Sequence, residues 1–250
     1  MSHGLFIEKV KLEPVAHKYF DAAGNEYMSV SHFIKKLSQP FEDTYPYRIA
    51  DDATRAEWAK KRDDAANGGT RVHNALEDFS KTGKVKESDL ELQDAVREII
   101  SMYNDYHTCH EEVCLYNEKY RLAGTTDKLC VISRSKNSAV DIADYKTNDT
   151  RGIEFFSRYN KKLFEPLSHL DDCSFVKYSI QLSLYAYFFE ELTGRQVRRL
   201  YIHHVPLSDL KNHKIIPVMY MKNDIKALLD KYAGNVQHLP KIEQEEELTF

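Results

Sequence analysis

Two short stretches, VDIADYK at residues 140–146 and TTDK at residues 125–128, carry acids and an amine at spacings that could do chemistry together. Residues two apart on a strand share a face, so Asp144 and Lys146 point the same way while Asp141 and Tyr145 point to the other. Asp127 falls near the start of the preceding strand, after an AGTT turn, and a hairpin from Asp127 to Asp144 can set two carboxylates side by side. Neighbouring carboxylates repel unless positive charge lies between them. Oxygen ligands favour a hard cation such as Mg²⁺ or Mn²⁺, which keeps several waters and needs few protein groups. A lysine beside that ion could orient or help deprotonate a water and offset charge building on a phosphate. The chemistry implied is phosphodiester hydrolysis. An acid two residues from a lysine also reads, alone, as a plain cross-strand charge pair, so the surrounding elements decide.

Those elements describe an α/β chain. Residues 1–28 alternate apolar and polar positions around an AAGN turn, the pattern of a small hairpin or meander, and Ser29 or Ser31 could cap a short helix carrying Phe33, Ile34 and Leu37. A helical pattern runs from Thr54 to about Lys81 with a break at Gly68-Gly69, and a second from Asp89 to about His107. Three runs rich in β-branched and aromatic residues follow, VCLYNEKYRLAG, TTDKLCVIS and SAVDIADYKT, which predict an antiparallel meander. Residues 148–176 form a long polar and basic connection. An amphipathic helix spans about Val176 to Leu192, with Gly194 placed to stop it; two strands, VRRLYIHHV and KIIPVMYM, and a helix from Asn223 to about Ala233 complete the chain. The expected organisation is one domain over 1–240, with an accessory hairpin and helix in 1–53 and a core in 54–234, followed by an acidic tail at 241–250.

Composition sets outer limits. The chain has 250 residues, 42% of them hydrophobic and 30% charged, enough for a substantial core. No apolar run approaches the roughly 20 residues that span a bilayer, and MSHGLFIEKVKLEP lacks the apolar block of a signal peptide. A cytoplasmic protein with no membrane partner is the expectation. The four cysteines, Cys109, Cys114, Cys130 and Cys173, form no CxxC pair and predict free thiols. A net charge of −4 is unhelpful to a non-specific nucleic-acid binder, although a local positive groove can coexist with acidic ligands and an acidic tail.

The series GTRVH followed by Glu77, then AGTTD, then DYK, then QLSLY resembles the motifs of the RecB-like branch of the PD-(D/E)XK nuclease superfamily, over roughly Gly69 to Tyr185. The resemblance implies a restriction-endonuclease-like core, a mixed β-sheet flanked by helices, here with N-terminal additions. It implies that His73, Asp127, Asp144 and the backbone carbonyl of Tyr145 bind Mg²⁺ or Mn²⁺, and that Lys146 is the catalytic lysine. Gln181 and Tyr185 match the family's QxxxY, four apart on one helical face. Glu118 matches an acidic residue on the first strand. The segment YFDAAGNEYMSVSHFI and the helix around Trp58 are similar to phage and mitochondrial single-strand exonucleases of this branch. Some relatives carry an iron–sulfur cluster on cysteines after the QxxxY helix; this chain has none there, so no cluster is expected.

The substrate this implies is DNA, single-stranded or with exposed ends, in replication, recombination or repair. Arg71, Arg151, Arg158, Lys161, Lys162 and Lys177 are the candidate phosphate contacts, with Phe155, Phe156, Tyr159 and Phe164 interleaved as in a lid that stacks bases. His203 and His204 are adjacent on a strand and face opposite sides, so they read as structural. The acidic ending EQEEELTF is similar to the phenylalanine-terminated tip of single-stranded-DNA-binding proteins and could dock a replication or recombination partner. A structure-specific endonuclease and a non-cleaving DNA-end binder are the alternative readings of the same residues.

Overall fold

In the computed structural model the described residues are 5–6, 8–13, 16, 18–135, 138–149 and 152–233, so Arg151 and the acidic tail lie outside them. Three short strands, β1 (Val10–Glu13), β2 (Lys18–Asp21) and β3 (Glu26–Ser29), form the expected N-terminal meander. The Asp21 carboxylate accepts the N–H groups of Ala23 and Asn25, both at 2.9 Å, and closes the turn in which Gly24 adopts φ 81°. Ser29 caps α1 (Val30–Lys35), its hydroxyl accepting the His32 N–H at 3.1 Å.

After α2 (Tyr45–Ile49), the helix α3 (Asp52–Thr82) begins at an Asp51 cap and ends at Gly83 in the left-handed region. It does not break at Gly68-Gly69. Those glycines instead let the helix approach its neighbours: a Cβ on Gly69 would lie 2.8 Å from Thr147 Oγ1, and one on Gly68 would lie 3.0 Å from Leu207 Cδ1. The helix expected over 89–107 is shorter, a 3₁₀ segment at Glu87–Leu92 leading into α4 (Gln93–Ser101).

The central strands are β4 (Thr108–Asn117), β5 (Leu122–Val131) and β6 (Val140–Lys146), paired antiparallel as expected. The AGTT segment is not a turn, because the reversal falls at residues 118–121 and Gly124 sits inside β5. Its missing Cβ has a tertiary cause: one built there would lie 2.7 Å from the Tyr185 ring. The chain continues through α5 (Ser174–Thr193), β7 (Val197–His204), β8 (Lys214–Val218) and α6 (Lys222–Ala233).

The strands join in one eight-stranded mixed sheet, β1-β2-β3-β5-β6-β7-β8 with β4 also on β5; β3–β5 and β6–β7 are parallel. The fold is therefore α/β, with helices on both faces. On one, Ile180, Leu184 and Phe188 of α5 pack against Leu129, Ile142 and Ile202. On the other, Val72 and Leu76 of α3 and Val96 and Ile99 of α4 cover Ala143 and Tyr145. The stretch Ser179–Phe189 is buried on nearly every side instead of being amphipathic, because α1 and α6 cover the surface of α5 turned from the sheet.

The expectation of four free thiols is corrected as well. Cys109 and Cys130 face each other across β4 and β5 and form a disulfide; Cys114 and Cys173 are free. A spacing of 21 residues carries no recognisable signature, whereas the strand register makes the two cysteines direct neighbours. Among the described residues, no helix is long and apolar enough to cross a membrane.

Candidate active site

A strand has two edges, and β5 shares one of them between two partners. Strand β4 occupies one edge from Thr108 opposite Val131 to Asn117 opposite Leu122. On the other edge β3 pairs at Leu122 and Ala123, and β6 pairs from Lys128 to Val131. Residues 124–127 lie in the fork between them. There side chains replace the backbone ladder: Thr126 Oγ1 donates to Ala143 O at 3.2 Å, and Asp127 Oδ2 accepts the Tyr145 N–H at 2.5 Å.

Continuing the β5–β6 register one step past Lys128 and Ala143 sets Asp127 opposite Asp144. Continuing the β4–β5 register one step past Glu111 and Lys128 sets Glu112 opposite Asp127. Three acids thus stand in a row across three strands. Glu112 is also, among the described residues, one of three non-glycine residues with positive φ, 52°, a conformation that costs free energy and tends to occur where function demands it.

The other groups gather from separate elements. His73, half-buried on α3, brings Nδ1 to 3.4 Å from Asp127 Oδ1 and sets its ring edge-on to Tyr145 at 5.9 Å. Lys146 is bonded to Asp144, and its ammonium lies 4.7 Å from the centre of the Tyr178 ring. Tyr178 is fixed in turn by donating to Asn148 Oδ1 at 2.9 Å. His73, Tyr145 and Lys146 open onto a cleft of about 760 Å³ that Tyr178 and Trp58 also line.

Crowded charge perturbs every member. Burial, then the Asp127 charge, pushes the Asp144 carboxyl up to about 6. Burial acts the same way on Asp127, but His73, Lys146 and the Tyr145 amide outweigh it and hold that carboxyl low. For Lys146 burial favours losing the proton; the two aspartates more than reverse this and raise its pKa. His73 is likewise raised, with burial opposing and Asp127 prevailing. The protein around Glu112, then the charges of Asp127 and Glu77, push its carboxyl up to about 8, a shift that its solvent-exposed edge tempers.

The residues that would hold a hard divalent cation are the two facing carboxylates and the His73 imidazole; the Tyr145 N–H, which donates to Asp127, is not a ligand. Among the described residues no trio of His, Cys, Asp or Glu side chains already closes around a common point, and Asp144 is held by Lys146.

Several expected residues fall elsewhere. Glu118 lies beyond the end of β4, exposed and ion-paired to Lys9 at 2.8 Å; the acid that the first central strand directs at the site is Glu112. The register would have found it, but only once the turn was placed at 118–121. Gln181 donates to the Tyr185 hydroxyl at 3.0 Å, and Tyr185 is buried against Gly124, so the pair supports the fork from beneath instead of lining the cleft. The lysine's aromatic neighbour is Tyr178, which shares the helical face of Gln181 and Tyr185 one turn upstream and was overlooked.

Most of the proposed phosphate contacts are ion-paired within the chain. Arg71 pairs with Asp89 at 2.6 Å and with Glu91, on a side of α3 turned about 200° from His73. Arg158 pairs with Glu154 at 3.0 Å, Lys162 with Asp171 at 2.5 Å and Lys177 with Asp172 at 2.6 Å. Lys161 is exposed and its N–H is accepted by the Ser157 hydroxyl at 2.8 Å. The connection carrying them is anchored by buried Ile153, Leu163 and Leu167, while Phe156 and Tyr159 stand exposed. His203 and His204 diverge: His203 bonds Tyr103 and His213, whereas His204 bonds Asn148 O at 2.7 Å. Asp141 faces away from the site, held by Arg198 at 2.6 Å and Tyr106 at 2.7 Å.

No family model matches the sequence, and no curated protein matches it either. Among solved structures, the chain is similar to a crystal structure described as a "putative exonuclease" from Eubacterium rectale, at 17% identity over 84% of this chain and 79% of that one. The TM-score is 0.40, too low for the likeness to carry a functional argument.

Proposed function

We propose that this chain is a divalent-metal-dependent nuclease of the PD-(D/E)XK type, hydrolysing DNA phosphodiester bonds as an exonuclease on single strands or exposed ends. The supporting observation is that Asp127 and Asp144, from neighbouring strands, contact His73 and Lys146, and that these two partners open onto one cleft. A sealed structural ion pair has no use for three aligned acids or for access to solvent, since unpaired carboxylates cost stability. On this reading residues 1–240 act as one nuclease domain.

Asp127, Asp144 and the Tyr145 carbonyl would hold Mg²⁺ or Mn²⁺, with His73 completing the set. The ion, when bound, polarises a phosphoryl oxygen and lowers the pKa of its water. Lys146 keeps its proton in this acidic setting, so it serves as a fixed cation that orients the attacking water and offsets charge on the phosphorus oxygens. Tyr178 and Asp144 restrict where that ammonium can sit. Glu112, in line with the two aspartates, is positioned to bind an outer-shell water or a second cation contact.

The test is digestion of end-labelled linear single strands, duplexes and circular single strands with Mg²⁺, Mn²⁺ or EDTA. Cleavage of linear DNA alone, abolished by EDTA, is the expected result. Cutting of circles would instead identify an endonuclease, and binding with no cleavage under any metal would identify a scaffold.

A further inference from the structure

One wall of the cleft extends well past the reacting groups. Trp58, Lys61, Ala65 and His73 all line it from α3, at successive intervals of three, four and eight residues that keep them on one side of the helix. Fifteen residues of helix place Trp58 about 22 Å from His73. Trp58 does not stand alone: Phe41 meets it edge-on at 5.4 Å and Tyr47 lies 6.1 Å away. Arg55 ties this aromatic group to α3, donating to Tyr47 O at 3.2 Å and stacking over the Tyr47 ring at 5.4 Å. The cluster lies outside the packed core: α2 buries no residue, Phe41 is 52% exposed, and Trp58 and Tyr47 are only half-buried.

We propose that Trp58, backed by Phe41 and Tyr47, is a remote nucleobase-stacking subsite that grips a single-stranded nucleic acid several nucleotides from the bond being cut. Flat aromatic faces bind unpaired bases whatever their sequence, whereas duplex bases are already stacked and cannot reach such a wall. Lys61 supplies a phosphate contact beside it; its partner Glu57, 2.6 Å away, is exposed, and an exposed pair is readily exchanged for a phosphate. At 3.4 Å per stacked nucleotide the 22 Å separation corresponds to about six nucleotides. The subsite therefore sets a minimum substrate length. This inference rests on the nuclease reading for the position of the scissile bond.

The chain contains one tryptophan, so its fluorescence reports on Trp58 directly. Oligo-dT strands shorter and longer than about six nucleotides are titrated into the full chain in EDTA, and the same strands are digested with Mn²⁺. Quenching by the longer strands, weak with the shorter ones and absent with blunt duplex, is expected. In labelled-oligonucleotide anisotropy, Trp58→Ala weakens binding of the longer strands by at least about fivefold and Trp58→Phe by about twofold or less, with circular dichroism checking the fold. Cleavage without quenching, or equal affinity of Trp58→Ala, overturns the subsite and leaves the nuclease reading intact. Quenching with no cleavage under any metal overturns the nuclease reading and supports the subsite as a single-strand grip.

Discussion

Two lysines, Lys128 buried and Lys146 half-buried, sit one strand apart and differ in almost everything that decides a role. Lys128 on β5 and Lys146 on β6 each bond a carboxylate, Glu111 and Asp144, and each ammonium lies 4.7 Å from the centre of a tyrosine ring. Lys128, however, is 1% exposed, closed in by Ser80 and Tyr103, and burial outweighs Glu111 to pull its pKa down. Lys146 opens onto the cleft, and two aspartates outweigh burial to push its pKa up. The contrast is set by strand alternation: Glu111 and Lys128 face one layer, while their immediate neighbours Glu112 and Asp127 fall at the fork. On the proposed reading, a lysine–carboxylate pair is structural where it is sealed and catalytic where extra acids and solvent meet it.

The strongest way to break that comparison is to exchange the roles. Lys146→Ala or Asp144→Asn should lower DNA cleavage by about 10³-fold or more while leaving the circular dichroism spectrum unchanged. Lys128→Met should leave cleavage per folded molecule within a fewfold of the parent, measured with active-site concentration normalised by folded fraction.

Stability should respond in the opposite sense. Lys128→Ala strands Glu111 in the interior and is expected to cost about 3–5 kcal/mol in urea denaturation, most of it recovered by pairing Lys128→Met with Glu111→Leu. A smaller effect sharpens the account of the fork. Gly124→Ala places a methyl group against the fully packed Tyr185 ring and should destabilise by about 1–3 kcal/mol, with loss of the Gln181–Tyr185 bond.

The smallest predicted effect is a pH dependence on the sealed side. His203 is completely buried between Tyr103 and His213, and burial, then His213 and Lys128, pull its pKa down to about 3 from an ordinary value of 6.5. The unfolded chain therefore takes up this proton first. Stability is complete above the unfolded pKa and falls with pH toward 3, by about 1.5 kcal/mol on going from about pH 7.5 to about pH 5.5. His203→Gln should flatten that limb in urea midpoints taken across the range.

How much of this was legible in the sequence depends on whether the signal was local. The Asp144–Lys146 alternation, the Gly194 stop and the divergence of His203 and His204 follow from one element at a time and hold in the structure, and of the two serines offered as a cap it is Ser29 that serves. Glycine was misread wherever its cause was tertiary: Gly68 and Gly69 looked like a helix break and Gly124 like a turn, yet a Cβ would clash with Thr147 at Gly69 and with the Tyr185 ring at Gly124, and would sit tightly against the Leu207 side chain at Gly68. Glu118 came from the family resemblance and the free thiols from the lack of a CxxC spacing; only the β4–β5 register brings Glu112 opposite Asp127 and Cys109 opposite Cys130. Tyr178 needed only one more turn of the helix pattern already in hand.

The most direct test is cleavage of an end-labelled single strand in Mn²⁺ by the parent chain, Asp144→Asn and Lys128→Met in parallel. The prediction is that the parent and Lys128→Met digest the strand and Asp144→Asn leaves it intact. Digestion by Asp144→Asn at the parental rate would contradict the proposed centre.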